Sequence, residues 1–251
     1  MFNSGQIITA LDDNHVVMTT NKQTGALDLI AGGNLAKAIL PSVDAIMSNI
    51  FIMFHRKSDN LPLMAKPNKW TSYQNSGEVA EGVVLVEGGK CLVIAPTEST
   101  SNLYWSSAAI SGGGFITDNR MTAIGDWAGK ANTAAQIAAS TTSAVTNTAS
   151  YAPGFCNLYS KTNANGKGLT AGKWWLPSMG EMMAIYANML KINYALSLIS
   201  GATQLVEEWY WTSTEYSETY AWYLYLSYGL MTYGTKATSA GRVRPVSYFL
   251  A

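Results

Sequence analysis

Two histidines, two cysteines and sixteen side-chain carboxylates are the groups with which this 251-residue chain could do chemistry. Their spacing supports little of it. His15 and His55 have no metal-type neighbour at helical or strand spacing. No Gly-x-Ser-x-Gly elbow is present. The glycine-rich runs 125–130 and 166–173 have the wrong spacing for a phosphate loop and lack the Ser or Thr after lysine. Asp118, Asp126 and Glu181 could supply a carboxylate pair for glycoside hydrolysis. Glu181, however, sits three residues after Ser178, where a capping box explains it better. Glu207, Glu208 and Glu215 read as isolated surface charges. Cys91 and Cys156 lie among apolar residues, which suggests buried free thiols and leaves a single bridge open. The expectation is a protein that is no enzyme and needs no metal or cofactor.

The groups better suited to a task are tyrosines. In the run 221–229, Trp222, Leu224 and Leu226 point one way and Tyr223, Tyr225 and Ser227 the other, because strand side chains alternate. The apolar face has a core to join. The tyrosine face suggests a contact surface, or else a second apolar layer or a subunit interface. Net charge is zero and charged residues make up only 13%, so no electrostatic footprint for nucleic acid is visible. The apolar stretch 46–54 is too short to span a bilayer. Residues 1–6 show neither a basic start nor a long apolar run, so no signal peptide is expected.

The elements that must position these groups read as an α+β chain. Short strands are expected at Ile7–Leu11, Val16–Thr20 and Ala26–Ile30, and a helical turn at Leu35–Leu40. Val43–Phe54 has helix-compatible spacing. Pro62 and Pro67 mark a connector, which sets a boundary between residues 1–65 and 66–251. The first part is read as a small β-rich attachment or oligomerisation segment, or alternatively as edge strands of the main domain. Residues 82–95 form a hairpin around Gly88-Gly89. Helices follow from Met121 to Ala139, through Pro153–Tyr159, and after Ser178, with a further one at Lys191–Ser200. From Trp209 the chain is β to its end.

Four motifs in order carry a resemblance: Lys173-Trp174-Trp175-Leu176-Pro177-Ser178-Met179-Gly180-Glu181, then Tyr210-Trp211-Thr212-Ser213-Thr214-Glu215-Tyr216, then Ala221-Trp222-Tyr223, then Arg242-Val243-Arg244-Pro245-Val246. Together they resemble a bacterial and phage family with a C-type-lectin-like fold, over roughly residues 80–250. Some of its members are variable proteins of diversity-generating retroelements, gut-bacterial types among them. In those systems asparagine codons of a C-terminal variable region, here about 209–246, are randomised in their first two bases. Trp, Met, Lys, Glu and Gln cannot arise that way. The resemblance implies variable, ligand-binding positions at Tyr223, Tyr225, Ser227, Tyr228, Leu230, Thr232, Tyr233, Thr235, Thr238 and Ser239, with Tyr220 beside them and Ala237, Ala240 and Gly241 also variable. None is an excluded type. Met231 and Lys236, which are, would be fixed, and Trp211, Trp222 and Arg242–Arg244 would be framework.

The resemblance further implies recognition of a protein or glycan on a cell surface, without nucleic acid or membrane insertion. The carrier would be a phage tail tip or a bacterial surface, with a homo-oligomer, such as a trimer, built on the first segment. Truncating Tyr223 and Tyr228 together would then remove binding and spare the fold. The alternative is an assembly protein whose tyrosine face is a permanent subunit interface. The calcium motifs of sugar-binding lectins are absent. So is the C-terminal cysteine pair of the fold's sulfatase-activating oxidases, since no cysteine follows Cys156. Trp174 and Trp175 read as core, not as a sugar platform.

Overall fold

The computed structural model describes residues 17–20, 27–30, 47, 49–139 and 147–249. The chain forms two compact units, Met1–Ser48 and Asn49–Ala251. In the first, β1 (Val17–Thr20) and β2 (Leu27–Ile30) pair antiparallel, with Val17 opposite Ile30. These are the two strands expected at Val16–Thr20 and Ala26–Ile30. The strand expected at Ile7–Leu11, the turn at Leu35–Leu40 and His15 lie outside the described residues.

The second unit is α+β. It opens with β3 (Ile50–His55), β4 (Pro62–Ala65), helix α1 (Pro67–Asn75) and the pair β5 (Gly82–Glu87) and β6 (Lys90–Ile94). After β7 (Leu103–Tyr104) come helices α2 (Arg120–Ile124), α3 (Gly129–Ala139) and α4 (Ala152–Leu158). The short pair β8 (Lys161–Thr162) and β9 (Gly168–Leu169) precedes helices α5 (Met179–Ala187) and α6 (Met189–Ser197). The chain then runs through β10 (Trp209–Glu215), β11 (Tyr220–Tyr225), β12 (Leu230–Thr235), β13 (Ala240–Gly241) and β14 (Val246–Tyr248).

Five of these strands make an antiparallel sheet in the order β14-β6-β5-β3-β4. The β5–β6 turn has both glycines at positive φ, 54° at Gly88 and 75° at Gly89, with Glu87 opposite Lys90. That is the two-residue hairpin geometry in which glycine costs least. The helix-compatible spacing at Val43–Phe54 is overturned at its end. Ile50-Phe51-Ile52-Met53-Phe54 is β3, paired on both sides. Its β-branched and aromatic residues suit a central strand buried on both faces, and in such a strand the run of apolar residues imitates a helix stripe. Residues 50–65 accordingly belong to the main sheet, and the compact unit starts at Asn49, short of the boundary expected after residue 65.

A core beside this sheet gathers Met53, Val84, Val93, Ala95, Leu169 and Trp174. A second core, Trp105, Ala152, Cys156, Leu176, Trp211, Ala221 and Val243, backs the other sheet, which has the order β10-β11-β12. Helix α5 packs against β10 and β11. Its capping box is formed: Glu181 Oε2 accepts from Ser178 N at 2.9 Å. The framework under the three-stranded sheet is thus fixed from two sides. Among the described residues no helix is long and apolar enough to cross a membrane.

Candidate binding surface

The alternation read from residues 222–227 is realised. Trp222, Leu224 and Leu226 are buried, Tyr223 and Tyr225 are half-buried, and Ser227 is exposed. Register then divides the expected site between the two faces of the sheet. Tyr223 lies opposite Thr232 and Trp211, and Tyr225 opposite Leu230 and Trp209, so all six share one face. Tyr220 lies opposite Thr235, and Trp222 opposite Tyr233, on the other face. Ser227 and Tyr228 sit in the β11–β12 loop. Thr238, exposed, and Ser239, half-buried, follow β12, and both donate backbone N–H groups to Thr235 O.

On the first face the rings form a continuous row. Centroid separations are 4.8 Å for Trp211–Tyr223, 4.6 Å for Tyr223–Trp209, 4.7 Å for Trp209–Tyr225 and 5.0 Å for Tyr225–Tyr228. The inner end is core: Trp211 is wholly buried and Tyr223 packs against its cluster. The outer end is open, with Tyr228 65% and Leu230 38% exposed. Gly234 makes the inner contact possible. A Cβ there would come within 2.8 Å of the Tyr223 ring and 2.9 Å of Trp211. Tyr223 is therefore a support, and the expectation that its truncation would spare the fold does not suit this packing. In the sequence Trp209 reads as the start of the last β segment but not as a site residue, although its place two residues before Trp211 puts it on the same face.

On the opposite face Tyr216 and Tyr233 stack at 3.8 Å, and Tyr220 meets Tyr233 edge-on at 5.3 Å. Tyr220 is 37% and Tyr233 42% exposed. Trp222 closes the inner side and donates its indole N–H to Thr117 O at 2.8 Å.

Two buried polar clusters hold this sheet. Lys236 Nζ donates to Glu215 Oε2 at 2.5 Å and to the carbonyls of Ile110, Ser217 and Glu218. Glu215 also accepts from Gly112 N and Gly114 N, each at 2.8 Å. Burial pushes the Lys236 ammonium below its usual range, and Glu215 opposes that shift. The reading of Glu215 as a surface charge is thus corrected, because both side chains of this pair are inaccessible. Its partner lies 21 residues away across the sheet, a distance no local pattern encodes. In the second cluster, Glu98 accepts from Tyr210 Oη at 2.7 Å and pairs with Arg242 and Arg244 at 2.8 and 3.0 Å. Burial, then the neighbouring Glu98 charge, raises the Tyr210 phenol.

The carboxylates weighed for catalysis are taken up differently. Asp118 is exposed. Asp126 accepts from Ala128 N, Asn132 and Thr214. Glu181 accepts from Ser178 N and Trp175 Nε1 and meets Tyr248 Oη at 3.3 Å, and burial pushes its carboxyl up to about 7. His55 pairs with buried Glu81 at 2.8 Å. Cys91 and Cys156 are both free. Trp174 and Trp175 are buried. Among the described residues no group of three or more His, Cys, Asp or Glu could hold a metal ion.

No protein-family model matches the chain, and no curated protein matches it. Among solved structures, a fimbrial protein from Bacteroides ovatus is similar at 17% identity, with a TM-score of 0.47 over 63% of this chain and 35% of that one. The chain thus spans little more than a third of that protein's length, and a likeness at this level carries neither fold nor function across. The geometry itself gives an α+β chain whose three-stranded sheet β10-β11-β12 carries aromatic side chains on both faces and an aromatic row that opens to solvent at one end.

Proposed function

We propose that the chain is a ligand-recognition protein, not an enzyme, with a C-type-lectin-like second unit that displays the β11–β12 segment on a bacterial surface or a virion. One observation carries this reading. Of the thirteen positions at which variation is implied, only Gly241 is buried, while of the six between them Leu224, Leu226, Met231, Gly234 and Lys236 are buried and Gly229 is half-buried. A segment whose changeable residues are accessible and whose fixed ones are inside can alter its surface without altering its fold. Diversification of this segment accounts for such a division, and tyrosine suits the accessible positions because it gives a large contact area with few torsions to freeze.

The test is capture of bacterial cells and of an immobilised glycan panel by the full chain and by Tyr225→Ala/Tyr228→Ala. Both rings stand at the open end of the row, so the melting temperature should hardly move. Capture should fall at least about tenfold, the ordinary effect of losing an aromatic anchor. Undiminished capture would remove the display reading. If the variant instead changes its mass in light scattering, the row is a subunit interface and the assembly role stands in its place. Sequencing the DNA around the gene tests the diversification separately, through a reverse transcriptase and an adenine-rich near-copy of the last segment.

A further inference from the structure

We infer that the open end of the Trp209–Tyr225–Tyr228 row receives a cationic side chain, lysine or arginine, of a protein partner. The inference rests on the display reading and narrows its ligand. Trp209 and Tyr225 lie at 32° to each other, and Tyr228 stands at 79° to Tyr225, so the loop closes one side of a ring-lined corner. Ring faces attract cations, indole most strongly. Beside this corner, Ser227 Oγ donates to Glu207 Oε2 at 3.2 Å, which holds an exposed carboxylate next to the same loop.

Charge balance points the same way. From residue 203 to residue 241 the acidic residues are Glu207, Glu208, Glu215 and Glu218, and the sole cation is Lys236. Lys236 is buried against Glu215, while Arg242, just beyond, and Arg244 share the single Glu98 carboxylate, which also accepts from Tyr210 Oη and so lies on the face of β10 away from Trp209. Among the described residues no lysine or arginine forms a salt bridge with Glu207 or Glu208. At the loop end of the sheet, exposed Glu207 and Glu208 thus carry negative charge with no ion-pair partner among the described residues. A neutral sugar can donate its hydroxyls to such a carboxylate but gains no charge pairing, and an anionic one is repelled. A guanidinium or ammonium gains from both the rings and the carboxylate.

The experiment follows the Trp209 indole N–H resonance of the full, 15N-labelled chain, assigned with Trp209→Phe. The probes are acetyl-Gly-Arg-Gly-amide and the same peptide with citrulline, which keeps the shape and removes the charge. The arginine peptide should shift Trp209 saturably and bind roughly fivefold or more tightly than the citrulline one. Glu207→Gln, a change at an exposed side chain, should weaken the arginine peptide alone, and added salt should do the same. Equal binding of the two peptides, indifference to Glu207→Gln, or no shift at Trp209 would each overturn the inference. Loss of cell or glycan capture in Tyr225→Ala/Tyr228→Ala without a peptide response would sink the cation and leave the display reading standing.

Discussion

Lys236 and Glu215 show how much of this surface depends on residues it does not expose. Lys236 offers three donors and faces four acceptors, among them the Glu215 carboxylate and the carbonyls of Ser217 and Glu218 just before β11. Lys236→Met removes the cation and leaves Glu215 charged in a dry site, so it should cost about 3–5 kcal/mol in a denaturant titration. Adding Glu215→Gln should recover part of that loss, since it removes the buried charge and its amide oxygen still accepts from one of Gly112 N and Gly114 N, which donate to different oxygens of Glu215. A single variant as stable as the parent would mean that water reaches Glu215. Glu181 makes a pH-dependent counterpart. Its carboxyl is raised from 4.5 to about 7, chiefly by burial. The fold therefore holds this proton more tightly than the unfolded chain does. That stabilisation is complete below about 4.5 and is lost as the pH rises through about 7, on the order of 3 kcal/mol in total. Buried Glu81 is shifted in the same direction, so the measurement is a difference. Glu181→Gln, which keeps a side chain able to cap the helix, should flatten the loss of stability between pH 4.5 and 7 relative to the parent. Parallel curves for the two proteins would show that Glu181 is ionised throughout.

At the scale of elements, the sequence was legible where the signal is local. The Gly88-Gly89 turn, the Ser178–Glu181 capping box and the alternation at residues 222–227 each occupy fewer than ten residues, and each is realised as read. β3 was misread because Ile50–Phe54 is apolar on both faces, and a strand buried between two neighbours gives no period to detect. The site was half legible for a related reason. Alternation within β11 assigned Tyr223 and Tyr225 to one face, but which face Tyr233 joins depends on its pairing with Trp222. That register is set by the β11–β12 loop, where Tyr225 meets Leu230. One tyrosine surface in the sequence thus became two aromatic clusters. The depth of Tyr223 was hidden too, because it depends on Gly234 in the neighbouring strand and on Trp105 and Val243 from distant segments.

For the molecule as a whole, the decisive question is where independent folding begins. Two boundaries compete, the one read after residue 65 and the compact unit from Asn49. In the five-stranded sheet β3 pairs with both β5 and β4, so a chain starting near Trp70 loses two strands and bares one edge of β5. It also uncovers Val83, Val84 and Leu85, all fully buried in the intact unit. An exposed apolar edge of this kind recruits other chains. The chain starting at Asn49 keeps every strand of that sheet and both cores. It should unfold cooperatively by circular dichroism, while the one starting at Trp70 should aggregate or lack a thermal transition. If the shorter chain folds as well as the longer, β3 and β4 are appended strands, and residues 1–65 can act together as an attachment segment. If only the longer one folds, any attachment or oligomerisation role belongs to residues 1–48. Light scattering on the full chain and on the chain from Asn49 then reads that role directly, as a change in mass that the display sheet, present in both, cannot cause.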